Sequence, residues 1–162
     1  MDGLHYMSEV TSITGLPVGR YELTLVSMHG IDKVFPNVAE QIYDTLRERN
    51  FHEYDMEELY RRLAVGEAQL WLVAEKGARL VMVAVTRIIR YPCVKRFSVD
   101  LIVGEDLEGC VVFLEVGANW SKQFGCTEVE ASCRPGIRKV MTKHGFQKQY
   151  EVIVKPIGGS TH

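Results

Sequence analysis

Two periods of apolar and polar residues run along this chain, and they divide it into alternating strands and helices. "YELTLVSMH" (21–29) alternates at period two and predicts a first strand. Pro36 and Asn37 then open a helix to about Arg49, with Val38, Ile42 and Leu46 four apart on its buried stripe. A second helix starts at Asp55, which has capping-box spacing to Glu58. Met56, Leu59, Tyr60 and Leu63 form its face, and Gly66 ends it.

Strands follow at 69–75 ("QLWLVAE") and 79–90 ("RLVMVAVTRIIR"), hinged at Lys76-Gly77 as a hairpin. A turn at Tyr91-Pro92-Cys93 leads to "KRFSVDLIV" (95–103). Unbroken alternation puts Phe97, Val99, Leu101 and Val103 on one face and Ser98, Asp100 and Ile102 on the other. A long helix is expected over 105–125, weakened by Gly117 and closed by Gly125. A strand at 126–133, a short helix from Pro135 to Gly145 and a last strand at 147–157 complete the order. The strand-helix-strand step from 95 to 133 requires a right-handed crossover and therefore a parallel pair. The fold class is mixed α/β: a mostly antiparallel central sheet with one parallel pair and helices on both faces. Residues 1–20 read as an N-terminal arm, 21–157 as a single domain and 158–162 as a disordered tail.

Composition narrows the function classes. With 162 residues, 46% hydrophobic and 25% charged, the chain is long enough for one domain with a real core. A formal charge of -2 argues against wholesale coating of nucleic acid, although Arg87, Arg90, Lys95 and Arg96 gather at one hairpin end. Lys and Arg at a strand edge also serve to block pairing. No apolar run approaches the ~20 residues that span a bilayer, and the first residues lack the pattern of a secretory signal. The four cysteines, Cys93, Cys110, Cys126 and Cys133, form no C-x-x-C pair, so no metal site is expected. Cys110, Cys126 and Cys133 have apolar neighbours and read as small buried hydrophobes; reduced thiols in a cytosol-like compartment are expected.

The block "EVGANWSKQFGCTEVEASCRPGIRKVMTKHGF" gives the order a family likeness. It resembles the GNAT superfamily of acyl-CoA N-acyltransferases: a helix ending in Trp and Gly-Cys, the fifth strand, and a short helix closing in Gly-Phe. The wording "RPGIRKVMTKHGFQKQYEVIVK" is similar to a bacteriophage-encoded branch of that superfamily. The likeness runs over roughly 69–157; before that only the element order matches. It implies transfer of an acyl group from acyl-CoA, typically acetyl-CoA, to a primary amine by direct attack on the thioester. It implies that backbone groups of Leu101, Ile102 and Val103 hold the thioester arm, and that the loop holding Gly104, Gly109 and Cys110 receives the pyrophosphate. It implies an acidic base near the amine, at Asp100 or Glu130. The family's tyrosine, which protonates the departing thiolate, falls on Met141, and a thioether has no proton to give; Tyr150 or His144 is the substitute.

The loop "GEDLEGC" complicates the cofactor. Glu105, Asp106 and Glu108 suit a helix start. Each would repel a phosphate charge ~5 Å away by about 3 kcal/mol at an effective dielectric of ~20. Two functions stay open: an N-acyltransferase acting in a cytoplasm, or a non-catalytic module on the same scaffold that binds a phage or host protein, in host cytoplasm or virion. No membrane partner is expected, and nucleic acid is the weakest reading.

Overall fold

The structure, a computed structural model, describes residues 13–48, 54–76, 79–133 and 135–158. Six strands form one sheet in sequence order: β1 (Leu16–Val18), β2 (Tyr21–Leu25), β3 (Gln69–Glu75), β4 (Leu80–Arg90), β5 (Lys95–Gly104) and β6 (Glu128–Ala131). All neighbours are antiparallel except β5 and β6, which are parallel as the crossover requires. The mixed α/β class and its single parallel pair are therefore as expected.

The helices are α1 (Ile31–Glu48) and α2 (Met56–Val65) before β3, α3 (Leu107–Cys110) and α4 (Val112–Ser121) between β5 and β6, and α5 (Pro135–Thr142). Helix α1 begins five residues before Pro36. Ser27 caps a 3-10 turn that feeds it, and Ile31 and Phe35 extend the buried stripe of Val38, Ile42 and Leu46. Asn37 Nδ2 donates to the Lys33 carbonyl at 3.3 Å beside the proline. Asp55 does cap α2, but Glu58 turns away from the capping box to Arg61 and Arg62. The expected long helix is broken at Val111 into α3 and α4 and ends, as read, at Gly125 in the left-handed region.

Two cores lie on the two faces of the sheet. Helices α1 and α2 cover Leu70, Val83, Val85, Leu101 and Val103. Helix α4 covers Leu23, Trp71, Val73, Phe97 and Val99, with Trp120 packed edge-on to Trp71 at 5.3 Å between centroids. Beneath it Trp71 Nε1 donates to Thr86 Oγ1 and Thr86 donates to Gln69, both at 2.9 Å, so this buried polar set is satisfied. Gly117 is where α4 meets β5: a Cβ there would lie 2.7 Å from the Phe97 ring.

Strand β5 therefore serves both cores, contrary to unbroken alternation. Val99 pairs with Thr86 but Leu101 pairs with Val85, so Asp100 is one residue too many. Such a bulge moves every later side chain to the opposite face. Phe97 and Val99 enter the α4 core, and Leu101 and Val103 enter the α1/α2 core.

Within the arm, Leu16–Val18 is a strand paired with β2; residues 1–12 lie outside the described residues. Two further expectations are corrected. Cys133 is exposed, not buried, because β6 stops at Ala131. Residues 147–157 form no strand. Of the tail, 159–162 lie outside the described residues.

Candidate functional site

The bulge at Asp100 is also where the sheet opens. Pairing of β5 with β6 runs from Arg96↔Glu128 to Val99↔Ala131 and stops, while β5 continues to Gly104 against β4. From Asp100 onward the side of β5 that faced β6 has no strand beside it among the described residues. A strand with an unpaired edge offers backbone donors and acceptors to an extended ligand.

A polar cluster stands at the opening. Asp100 is nearly buried, its side chain 9% exposed. Arg87 Nε and Nη2 both reach its carboxylate, and Ser98 Oγ donates to Oδ1 at 2.7 Å. Asp100 raises the guanidinium pKa of Arg87. The Tyr54 hydroxyl donates to the Asp100 carbonyl at 2.8 Å, at the point where β6 ends its pairing. On β6, Glu130 Oε1 accepts from the Tyr91 hydroxyl at 2.7 Å, and Oε2 lies 3.7 Å from Arg96. That hydrogen bond raises the Tyr91 pKa, since a phenolate would face a carboxylate. Glu130 also lies within electrostatic reach of Arg87, and Tyr150 within reach of Tyr91.

The structure thus brings Asp100 and Glu130 to one place. Tyr150 stands at its edge and is 69% exposed. Met141, at the position expected for a tyrosine, is buried. Tyr54, Tyr91 and Ser98 were not read as site residues, and Arg87 was read only as part of the basic cluster at the hairpin end. Tyr54 lies 46 positions from Asp100 and carried no local signal. Ser98, two residues from Asp100, was available to period-two reasoning.

The basic cluster is largely spent within the protein. Arg87 holds Asp100, Arg96 holds Glu128 at 2.9 Å, and Lys95 donates to the Phe124 carbonyl. No group of three or more His, Cys, Asp or Glu among the described residues is placed for a metal ion. No helix among them is long and apolar enough to cross a membrane.

The acidic loop after β5 is neutralised one acid at a time. Glu105 pairs with Arg79 at 3.0 Å, Asp106 with Arg20 at 3.0 Å and Glu108 with Lys143 at 3.5 Å. Glu105 and Glu108 are more than two-thirds exposed and turned to solvent. Asp106 turns inward. It has φ 51°, and its Oδ1 accepts from Gly109 N at 3.1 Å. Hydrogen bonds from the Tyr21 hydroxyl and Gly109 N–H, with Arg20, hold its pKa below the usual carboxylate value. A Cβ on Gly109 would sit 2.2 Å from that carboxylate. Gly104, at φ 144°, meets backbone: a Cβ there would lie 2.3 Å from the Val81 carbonyl oxygen. Val81 is the extra residue of a bulge between β3 and β4, and its carbonyl also accepts from Glu105 N at 3.1 Å. Both glycines thus serve close approach within the protein.

The acyl-CoA that the sequence resemblance implies would meet two different surfaces here. The open side of β5 offers backbone groups to an extended thioester arm. The loop fits a pyrophosphate less well, because Gly109 N–H already carries the Asp106 carboxylate and Cys110 N–H goes to the Asp106 carbonyl at 3.0 Å. An apolar cavity of about 30 Å³ between α4 and the sheet is lined by Trp71, Met82, Phe97 and Ile102.

No protein-family model matches the chain, and no curated protein matches it in sequence. Solved structures do match its fold. A GCN5-related N-acetyltransferase from Ralstonia eutropha JMP134 superposes with a TM-score of 0.64 at 16% identity, covering 86% of this chain and 99% of that one. A predicted acetyltransferase with acetyl-CoA from Clostridium acetobutylicum gives 0.59 at 16% identity, covering 85% and 96%. An aminoglycoside acetyltransferase from an uncultured soil metagenomic sample, in complex with sisomicin, gives 0.60 at 10% identity, covering 86% and 97%. At these identities the likeness is one of fold, and the fold of this chain is that of the GCN5-related N-acetyltransferases.

Proposed function

We propose that this chain is an N-acyltransferase that moves an acyl group from an acyl-CoA, such as acetyl-CoA, to an amine at the opening between β5 and β6. One observation carries the reading: β5 leaves β6 at the Asp100 bulge and continues to Gly104 with no strand on that side among the described residues. Backbone groups of Leu101, Ile102 and Val103 and the start of the loop at Gly104, Gly109 and Cys110 border the donor. The donor supplies a thioester carbonyl open to attack.

The chain's own residues then divide the work. Glu130 is the proton acceptor for the incoming amine: its carboxylate lies on β6 at the opening, and its Oε2 faces Arg96 at 3.7 Å, longer than a hydrogen bond. Asp100 is a positioning residue, because Arg87 and Ser98 already occupy its carboxylate. Tyr54, whose hydroxyl donates to the Asp100 carbonyl at the bulge, is the proton donor that Met141 cannot be; Tyr150 is the other phenol near the opening.

The test is calorimetric titration with acetyl-CoA, followed by turnover with a panel of primary amines. Binding, with turnover lost in Glu130→Gln and binding retained, is the expected result. No binding at millimolar donor by the wild type and by Asp106→Ala would end the reading. A second reading, a binding module on the same scaffold, is favoured by the Asp106 carboxylate on Gly109 N–H. It expects binding only after Asp106 is removed, and no turnover in either protein.

A further inference from the structure

We propose that Tyr91, Arg96 and Glu128 are positioning residues that keep one oxygen of the Glu130 carboxylate free for an incoming amine. The inference rests on the reading of Glu130 as the proton acceptor and adds how that role is protected. The face of the sheet itself threatens it. Glu128 and Glu130 are two apart on β6 and so share a face, and Arg96 and Ser98 stand opposite them on β5. A guanidinium between two carboxylates can close on either of them as a two-pronged pair. Closed on Glu130, it would fill the lone pairs that must receive the proton.

The surrounding contacts hold it away. Arg96 Nε donates to Glu128 Oε1 at 2.9 Å, while Arg96 Nη1 stays 3.7 Å from Glu130 Oε2. The same guanidinium lies over the Tyr91 ring, 5.3 Å from its centroid, where the ring face attracts the cation. The Tyr91 hydroxyl donates to Glu130 Oε1 at 2.7 Å, so the carboxylate cannot swing to offer both oxygens to Arg96. Tyr91 is fixed in turn by the tip of the β4–β5 hairpin, where its N–H donates to the Val94 carbonyl at 2.8 Å. Glu128 is 52% exposed and Glu130 22%, so the outer carboxylate anchors the cation and the inner one keeps Oε2 for the amine.

Steady-state kinetics with acetyl-CoA and a panel of primary amines, beside calorimetric titration with acetyl-CoA, tests it. Glu128→Gln lets Arg96 close on Glu130, so kcat should fall at least about tenfold while the Kd for acetyl-CoA stays within about twofold. Adding Arg96→Met to that variant removes the guanidinium and should recover most of the loss. Tyr91→Phe should lower kcat with the same unchanged donor affinity. A half-exposed residue with a purely structural role would give none of this pattern. A second readout needs no turnover. The Tyr91 phenol titrates above its ordinary value because of its hydrogen bond to Glu130, its burial and the charges of Glu130 and Tyr150, with Arg96 opposing them. Glu130→Gln should therefore bring the Tyr91 titration down, as followed by NMR of ring-labelled tyrosine with the signal assigned through Tyr91→Phe. An unchanged kcat in Glu128→Gln, no recovery on adding Arg96→Met, or a Tyr91 titration indifferent to Glu130→Gln would each overturn this inference and leave the transferase reading in place. A wild type that turns over no amine would overturn both.

Discussion

Removing Arg87 should cost stability, and the loss should shrink when Asp100 is neutralised as well. Arg87→Met leaves a carboxylate that is 9% exposed with only the Ser98 hydroxyl as partner. Breaking a fully buried pair from one side costs ~3–5 kcal/mol. The Arg87 side chain is 36% exposed, so water reaches the gap and the cost falls to about 2 kcal/mol. Asp100→Asn keeps the shape and the Ser98 contact and frees Arg87 towards solvent, for about 1 kcal/mol. The double variant has no stranded charge, so it should be more stable than the sum of the single losses by about 1 kcal/mol or more. Urea unfolding of the four proteins measures the cycle, and Arg87→Met should also lower Tm by roughly 4–8 °C. Strict additivity, or a loss under 0.5 kcal/mol in Arg87→Met, would refute the assignment of Asp100 as a residue held by Arg87.

Three other outcomes follow from the geometry. Gly104→Ala places a Cβ 2.3 Å from the Val81 carbonyl at φ 144°, so strain and overpacking together should cost ~2–5 kcal/mol in chemical denaturation. Deleting Asp100 alone should remove the bulge while regular alternation from Val99 keeps Leu101 and Val103 on the α1/α2 face, so a cooperative unfolding transition should survive in chemical denaturation; loss of that transition would disprove the bulge. Arg61 and Arg62 hold the Glu58 pKa at about 2. A depressed carboxylate stabilises the fold above its unfolded value near 4.5, and this contribution disappears as pH falls through about 2. Glu58→Gln should therefore lower Tm at pH 7 and leave it nearly unchanged at pH 2, as read by thermal scans at both.

The elements that were legible in the sequence are those whose signal is local and repeated. The stripe of Val38, Ile42 and Leu46, the Asp55 cap and the Gly66 stop each declare themselves within one or two helical turns. The parallel pair followed from handedness, which depends on element order alone. What failed depends on partners far away. Asp100 has no feature that marks it as an extra residue; only the register against Val85 and Thr86 does. Pro36 reads as a helix start, but Ile31 and Phe35 carry the buried stripe back a further turn. Residues 147–157 have every local mark of a strand, yet a strand is completed by a neighbour, which lies outside the segment's own sequence. The carboxylates of the loop were visible; their cations, Arg20, Arg79 and Lys143, come from three separate parts of the chain.

A strand that changes sides halfway along ties the two helical layers to one thread. Neither layer can loosen without disturbing β5, since its first half anchors one and its second half the other. The domain should consequently melt as one unit, with amides beneath α1 and beneath α4 exchanging through the same global opening and not through separate partial ones.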